Sequence, residues 1–164
     1  HPMRRAAALV ALALAACSGQ ADDPEAALQR ELAAAKLAAR ASLPVFWERF
    51  AHPEEGDYDF SLKTAFPRRD GQPGVEEAWV ENVARAPDRI VGELSVQPRF
   101  LGDLKEQAIV DFQESQIVDW AFMGGDQLFG HYMTRVMLPE MDAVQSEWLR
   151  PLLSEAPAPE PGAE

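Results

Sequence analysis

Apolar positions along this chain follow a helical rhythm, then a strand rhythm, and return to a helical one near the end. Residues 24–41 (PEAALQRELAAAKLAARA) read as a helix. Asp23 stands at the N-cap position, Pro24 at the first helical position and Glu25 in the first turn, and alanine sustains the interior. The apolar face is thin, with Leu28, Leu32 and Leu37 among alanines, which suits a stalk or a lightly docked helix. A second helix is predicted from Ser42 as cap, with Pro44 in its first turn, Phe46, Trp47 and Phe50 on one face and Pro53 just past its end. The period then changes to two. Phe60, Leu62, Thr64 and Phe66 alternate with Ser61, Lys63 and Ala65, the pattern of a half-buried strand. After the turn-forming stretch RRDGQPG, further strands are predicted in EEAWVENV, RIVGELSV and QAIVDF, with Ile90, Gly92, Leu94 and Val96 sharing a face. QIVDWAFM, the turn GGD and QLFG form a hairpin that places Val118, Trp120 and Phe122 together. HYMTRVML leans to helix, and Pro139 opens a final amphipathic helix that runs to Leu153.

Helices before and after a run of about five antiparallel strands make this an α+β domain. The expected organisation is a leader over residues 1–16, a tether and Ala-rich helix over 17–38, a domain over 39–138, a C-terminal helix over 139–153 and a tail over 154–164. The tail is Pro, Ala and Glu with little apolar surface, and is expected to be disordered.

The single cysteine, Cys17, adds a location. Arg4 and Arg5 precede the apolar run Ala6 to Ala16, which is too short to span a membrane and fits the core of a secretory signal peptide. Leu14-Ala15-Ala16-Cys17 resembles the bacterial lipobox, where a signal peptidase cuts before the cysteine. The resemblance implies a diacylglycerol on the Cys17 thiol and a third acyl chain on its new amino group, which makes the membrane a partner through lipid. Ser18, rather than aspartate, follows the cysteine, which favours the outer membrane facing the periplasm.

Charge narrows the partners. The chain carries 15 Lys and Arg against 27 Asp and Glu, a net charge of -12, and loss of Arg4 and Arg5 would make it two charges more acidic. Such a chain lacks the cations that displace counterions from phosphates, so nucleic acid is not an expected partner, and its field would steer a basic protein. Of three histidines, His1 lies in the leader and His52 and His131 stand far apart without a free thiol, so no metal site and no cofactor are expected. Gly125 and Gly130 have the spacing of a phosphate loop but lead into His131-Tyr132 rather than Lys-Ser/Thr. Glu54, Glu55, Asp57 and Asp59 read as a solvated loop, and Trp47, Trp79, Trp120 and Trp148 as core. Asp119 stands out, a carboxylate between Val118 and Trp120 in a strand. It must be paired or hydrogen-bonded there, with Arg135 or Lys63 as the expected cation.

QIVDWAFMGGDQLFGHYMTRV also resembles the YegJ-like family, a domain of unknown function (DUF2314). The matching positions are Ile117-Val118-Asp119-Trp120, Gly130, Tyr132 and Arg135. ARASLPVFWERF, FSLKTAF with Lys63, AWV with Trp79 and GELSVQP with Gly92 and Pro98 extend the likeness over residues 39–138. Glu106-Gln107 departs from the family's Gly-Asp turn. The resemblance implies a fold and no activity. The expected function is a membrane-anchored envelope lipoprotein acting as a non-enzymatic protein-binding module, in an immunity-type or an envelope stress or scaffold role. The alternative is a hydrolase-like enzyme using Asp119 or the acidic loop.

Overall fold

The structure, a computed structural model, describes residues 23–160. The leader, Cys17 and its lipobox, and residues 161–164 lie outside the described residues. The α+β class holds. A long helix α1 (Pro24–Ala51) precedes six antiparallel strands: β1 (Asp57–Pro67), β2 (Val75–Arg85), β3 (Ile90–Leu94), β4 (Ile109–Phe112), β5 (Ile117–Gly124) and β6 (Gln127–Gly130). Two short helices follow, α2 (Tyr132–Met137) and α3 (Ala143–Leu149). The sheet order is β4-β3-β2-β1-β5-β6, so β5 enters beside β1, in the middle of the sheet, after a crossover through Glu114–Gln116. That crossover is pinned to α1: Trp47 Nε1 donates to Glu114 at 2.7 Å, and Arg40 donates to the carbonyls of Ser115 and Ile117, each at 2.8 Å.

The two predicted N-terminal helices are one. Pro44 removes a single backbone donor, and Leu43, Phe46 and Trp47 bury on either side of it, so the helix continues through the proline. Ser42 is therefore no cap. Its hydroxyl is shared between the carbonyls of Ala38 and Ala39 and accepts from Trp120 Nε1 at 3.1 Å. The first buried residue of α1 is Ala35. Ala39, Leu43, Phe46 and Trp47 then join Leu62, Phe66, Val80, Ile90, Leu94, Phe112, Ile117, Trp120 and Phe122 in one core.

Other expectations need correction. A register shift between β1 and β5 at Lys63/Thr64 puts Ile117, rather than Val118, in the core, and Val118 is half-buried. β3 stops at Leu94, leaving Val96 exposed. The C-terminal helix starts later and ends sooner than Pro139 and Leu153 suggest. Residues Leu138–Glu140 form a 3-10 turn, and Asp142 is the cap of α3, accepting from Val144 N at 2.8 Å. Trp148 on that helix is 70% exposed rather than core. Residues 154–160 are not a free tail: Ser154 and Pro157 bond the backbone of β6, and Ala158 packs against the core. At the departure from the family's Gly-Asp turn, Gln107 sits at φ +69°, a conformation that favours glycine, asparagine or aspartate.

Candidate functional site

Strand register puts three of the sequence-selected residues in one row. Asp119 on β5 lies opposite Lys63 on β1, and Lys63 lies opposite Trp79 on β2. Directly opposed residues share a face, and this is the face turned away from Leu62, Trp120 and Val80. His131 closes the row from above, its ring 4.9 Å from that of Trp79. Sequence reasoning did not link His131 to Trp79. The link depends on β1 standing between β2 and β5, and nothing local to either residue encodes that.

Asp119 is fully enclosed, and its oxygens are hydrogen-bonded by backbone amides. Its Oδ1 accepts from Trp120 N at 2.8 Å and Tyr132 N at 3.1 Å, and its Oδ2 accepts from Met133 N at 2.9 Å. Tyr132 and Met133 open α2, and His131, the residue at the N-cap position, is left-handed with no capping side-chain bond. Asp119 thus caps α2 from a neighbouring strand, doing for the first amides of the helix what a local Asp or Ser usually does. Burial raises its pKa above the ordinary carboxylate range, and the amides of Met133, Trp120 and Tyr132 with the charge of Lys63 offset this only in part.

The expected pairing of Asp119 with Arg135 does not occur. Arg135 turns away from it: Nε donates to Gly130 O at 2.9 Å, Nη1 to Ser154 O at 2.6 Å, and Nη2 to Leu128 O at 3.3 Å and Ser154 Oγ at 2.9 Å. Gly130 sits at φ +76°, and a Cβ there would lie 2.0 Å from the Trp120 carbonyl oxygen. Only glycine allows this approach, which lets His131 N bond that same carbonyl at 2.8 Å. Tyr132 packs its ring edge-on to Trp120 at 5.7 Å. Trp120 is buried, with Nε1 donating to Ala39 O at 3.1 Å.

The remaining members of the row differ in access. His131, held through Nδ1 to Thr134 Oγ1 at 2.9 Å, is lowered to a pKa of about 4 by burial and by the nearby charges of Arg135 and Lys63. It is neutral at physiological pH. The Lys63 side chain is half-buried and makes no hydrogen bond or ion pair among the described residues, although its charge acts on Asp119 and His131; Trp79 is half-buried beside it. The acidic loop is partly committed as well. Asp57 holds Arg49 through two bonds of 2.7 and 2.8 Å; burial opposes its ionisation, yet Arg49 and the Glu54 amide keep its pKa below the usual range. Among the described residues no group of three or more His, Cys, Asp or Glu is placed to hold a metal ion. A groove of about 470 Å³ lies elsewhere, between Pro44, Glu48 and His52 of the helix region and Pro159 and Glu160, and neither Asp119 nor His131 lines it.

The model of a bacterial family described as an uncharacterized conserved protein (DUF2314) matches residues 29–148. The chain belongs to this family. Neither a curated protein nor a solved structure matches it. The matched range contains α1 almost whole, all six strands, α2 and most of α3, and stops short of the ordered segment that Arg135 holds. The DUF2314 domain therefore includes the Lys63–Trp79–His131 row and the Asp119 cap.

Proposed function

We propose that this DUF2314 protein is a lipid-anchored envelope protein that binds another protein. The observation that carries the reading is the division of labour along the row. Asp119 is closed off and spent on three amides, so it has no free oxygen to offer a substrate, while Lys63 and Trp79 stand beside it at the surface with no internal hydrogen bond asked of the lysine. A half-buried tryptophan is the residue type that anchors protein contacts, and the lysine beside it is free to take an acceptor from a partner. The hydrolase alternative loses its principal carboxylate by the same geometry. Glu81 and Glu93, opposed on β2 and β3, place two carboxylates on the same side of the sheet as Trp79 and Lys63, which favours a partner whose basic groups meet the glutamates while an acceptor meets the lysine.

The anchor reading rests on Leu14-Ala15-Ala16-Cys17 and gains from α1. Residues 24–34 precede its first buried side chain, and at about 1.5 Å per residue they add roughly 16 Å of stalk. A stalk of that kind would hold the domain clear of an outer-membrane surface on the periplasmic side. Two measurements test the proposal. Palmitate labelling in a Gram-negative host is expected for the wild type and lost in Cys17→Ser; equal labelling of both ends the anchor reading. A photo-crosslinking residue at position 79 is expected to trap a discrete protein adduct that the same residue at position 34, on the stalk, does not. Identical adducts from both positions would remove the sheet face from consideration.

A further inference from the structure

The outer edge of β6 is occupied by the chain's own C-terminal segment, which meets it in one parallel bridge at Leu153 and then bends over residues 155–158. Leu128 N donates to Leu152 O at 2.7 Å, Ser154 N donates to Leu128 O at 3.0 Å, and the two stretches run parallel. Gly130 N donates to Pro157 O at 2.7 Å. Between these bonds the Arg135 guanidinium bridges the carbonyls of Leu128 and Gly130 on one side and of Ser154 on the other. Main-chain bonds are supplemented by two side chains, the Ser154 hydroxyl on Arg135 at 2.9 Å and Ala158 against the edge of the core. Ser154 is the only residue of 152–160 that is buried; Leu152, Leu153, Pro157, Ala158 and Pro159 are half-buried. The acceptor, residues 128–135, lies inside the DUF2314 match, and the occupant lies wholly beyond its end at residue 148.

We infer that this edge is an acceptor site for a short peptide segment: β6 and Arg135 take a segment of a partner protein, read through its backbone, and residues 152–160 hold the place in cis. Strand addition to a free edge gives affinity through backbone bonds and leaves selectivity to side chains on alternate positions. The bound segment shows the chemistry that fits. It supplies a carbonyl to the guanidinium, a small residue where Ser154 is enclosed, and proline where only a carbonyl is asked for, as at Pro157. A segment fastened by a few backbone bonds and half-buried side chains opens at far less cost than the core. The inference deepens the reading of the domain as a binding module by naming the class of partner. It uses a different surface from the Trp79 face, so the two can fail separately.

The test uses the full chain and a fluorescein-labelled peptide of residues 150–160, followed by anisotropy. The wild type is expected to bind it weakly, since the tethered segment competes at an effective concentration in the millimolar range. Ser154→Pro deletes the amide that bonds Leu128 O and should loosen the cis segment, raising peptide affinity about tenfold or more. Adding Arg135→Gln to that variant should abolish the gain. A folded Ser154→Pro variant that binds no tighter than wild type overturns the inference, as does a gain that survives Arg135→Gln. A concentration-dependent dimer of the wild type formed by exchange of this segment would assign the edge to a second copy and overturn the partner reading. Amide exchange of the unaltered chain gives a readout independent of any variant. Gly130 and Ser154 should exchange by local opening, faster than Leu62 and Val80; exchange of all four at one common rate overturns the inference.

Discussion

Replacing Asp119 by asparagine is the sharpest probe of how this domain is held together. The side chain keeps its size and one acceptor oxygen. That oxygen can retain the Oδ1 bonds to the amides of Trp120 and Tyr132, but the new NH2 group then faces the Met133 amide, donor against donor, where Oδ2 accepts at 2.9 Å. One charge-assisted bond is lost and one enclosed amide is orphaned, a cost of about 1–3 kcal/mol for the unsatisfied donor alone. Removing the carboxylate charge returns part of this, because burial disfavours the ionised form. The expected net loss is about 1–3 kcal/mol. Asp119→Ala orphans all three amides and uncaps α2, and should cost more, about 3–5 kcal/mol.

The pH dependence fixes the sign. A carboxyl whose folded pKa is raised binds more protons in the folded than in the unfolded chain between the two pKa values. Its contribution to stability is full below the unfolded value and is lost as pH rises through the folded one. The gap between wild type and Asp119→Asn, measured by urea unfolding, should therefore be larger near about pH 4 than near about pH 8. An asparagine variant within about 0.5 kcal/mol of wild type at both values would refute the capping argument; a gap that widens with pH would instead refute the raised pKa, because it would mean that the three amides outweigh burial.

Three further outcomes are expected. Gly130→Ala would force a Cβ to 2.0 Å from the Trp120 carbonyl at φ +76°, and the left-handed penalty of about 1–2 kcal/mol plus about 1–3 for overpacking should lower urea stability by about 2–5 kcal/mol; a loss below about 1 would mean that β6 shifts freely. His131 should titrate near 4 in an NMR experiment, and since its folded pKa lies below the unfolded value of 6.5, its stabilising contribution should be present above that value and fall away as pH drops through about 4; a midpoint near 6.5 contradicts the enclosed ring. Gln107→Gly should relieve the φ +69° strain and raise the melting temperature slightly, by a stability gain of about 0.5–1 kcal/mol, whereas a loss would show that the glutamine side chain contributes a contact of its own.

The strands were legible because their signal is local. Phe60, Leu62, Thr64 and Phe66 alternate with polar neighbours, and the GGD turn joins two apolar runs, so β1 and the β5–β6 hairpin could be read directly. The break expected at Pro44 was misread because burial of Leu43, Phe46 and Trp47 overrides the loss of one amide, and burial is a tertiary fact. Composition misjudged residues 154–160 for a related reason. A segment with few apolar side chains can still be ordered when an open strand edge and a guanidinium accept its backbone, and neither partner is visible from the segment itself. Asp119 was correctly marked as needing partners; of the two cations expected, Arg135 bonds elsewhere and Lys63 stands opposite without an ion pair, and the acid is satisfied by amides instead. An α2 that begins one residue past a left-handed histidine has uncapped amides, and the crossing of β5 beside it supplies the acid.

The residues behind the family resemblance fall largely in one connected structure, and this bears on why membership says so little about activity. Gly130 admits the Trp120 carbonyl, Tyr132 packs on Trp120, Asp119 caps the helix that Tyr132 opens, and Arg135 returns to Gly130 and Leu128. Gly92 belongs to the same class, since a Cβ there would meet Val80 at 2.4 Å. Each of these choices is dictated by packing or by backbone satisfaction, so a chain sharing them shares the fold whatever it binds. Lys63 and Trp79 differ from these, for the lysine side chain makes no hydrogen bond or ion pair among the described residues and the tryptophan ring, in contact with His131, is only half-buried. A substitution such as Lys63→Met withdraws only the charge that partly offsets the burial of Asp119, so it should cost less stability than Asp119→Asn, about 1 kcal/mol or less, while weakening partner capture at position 79. Loss of stability comparable to that of the asparagine variant would place Lys63 with the structural set and leave the sheet face without a functional residue.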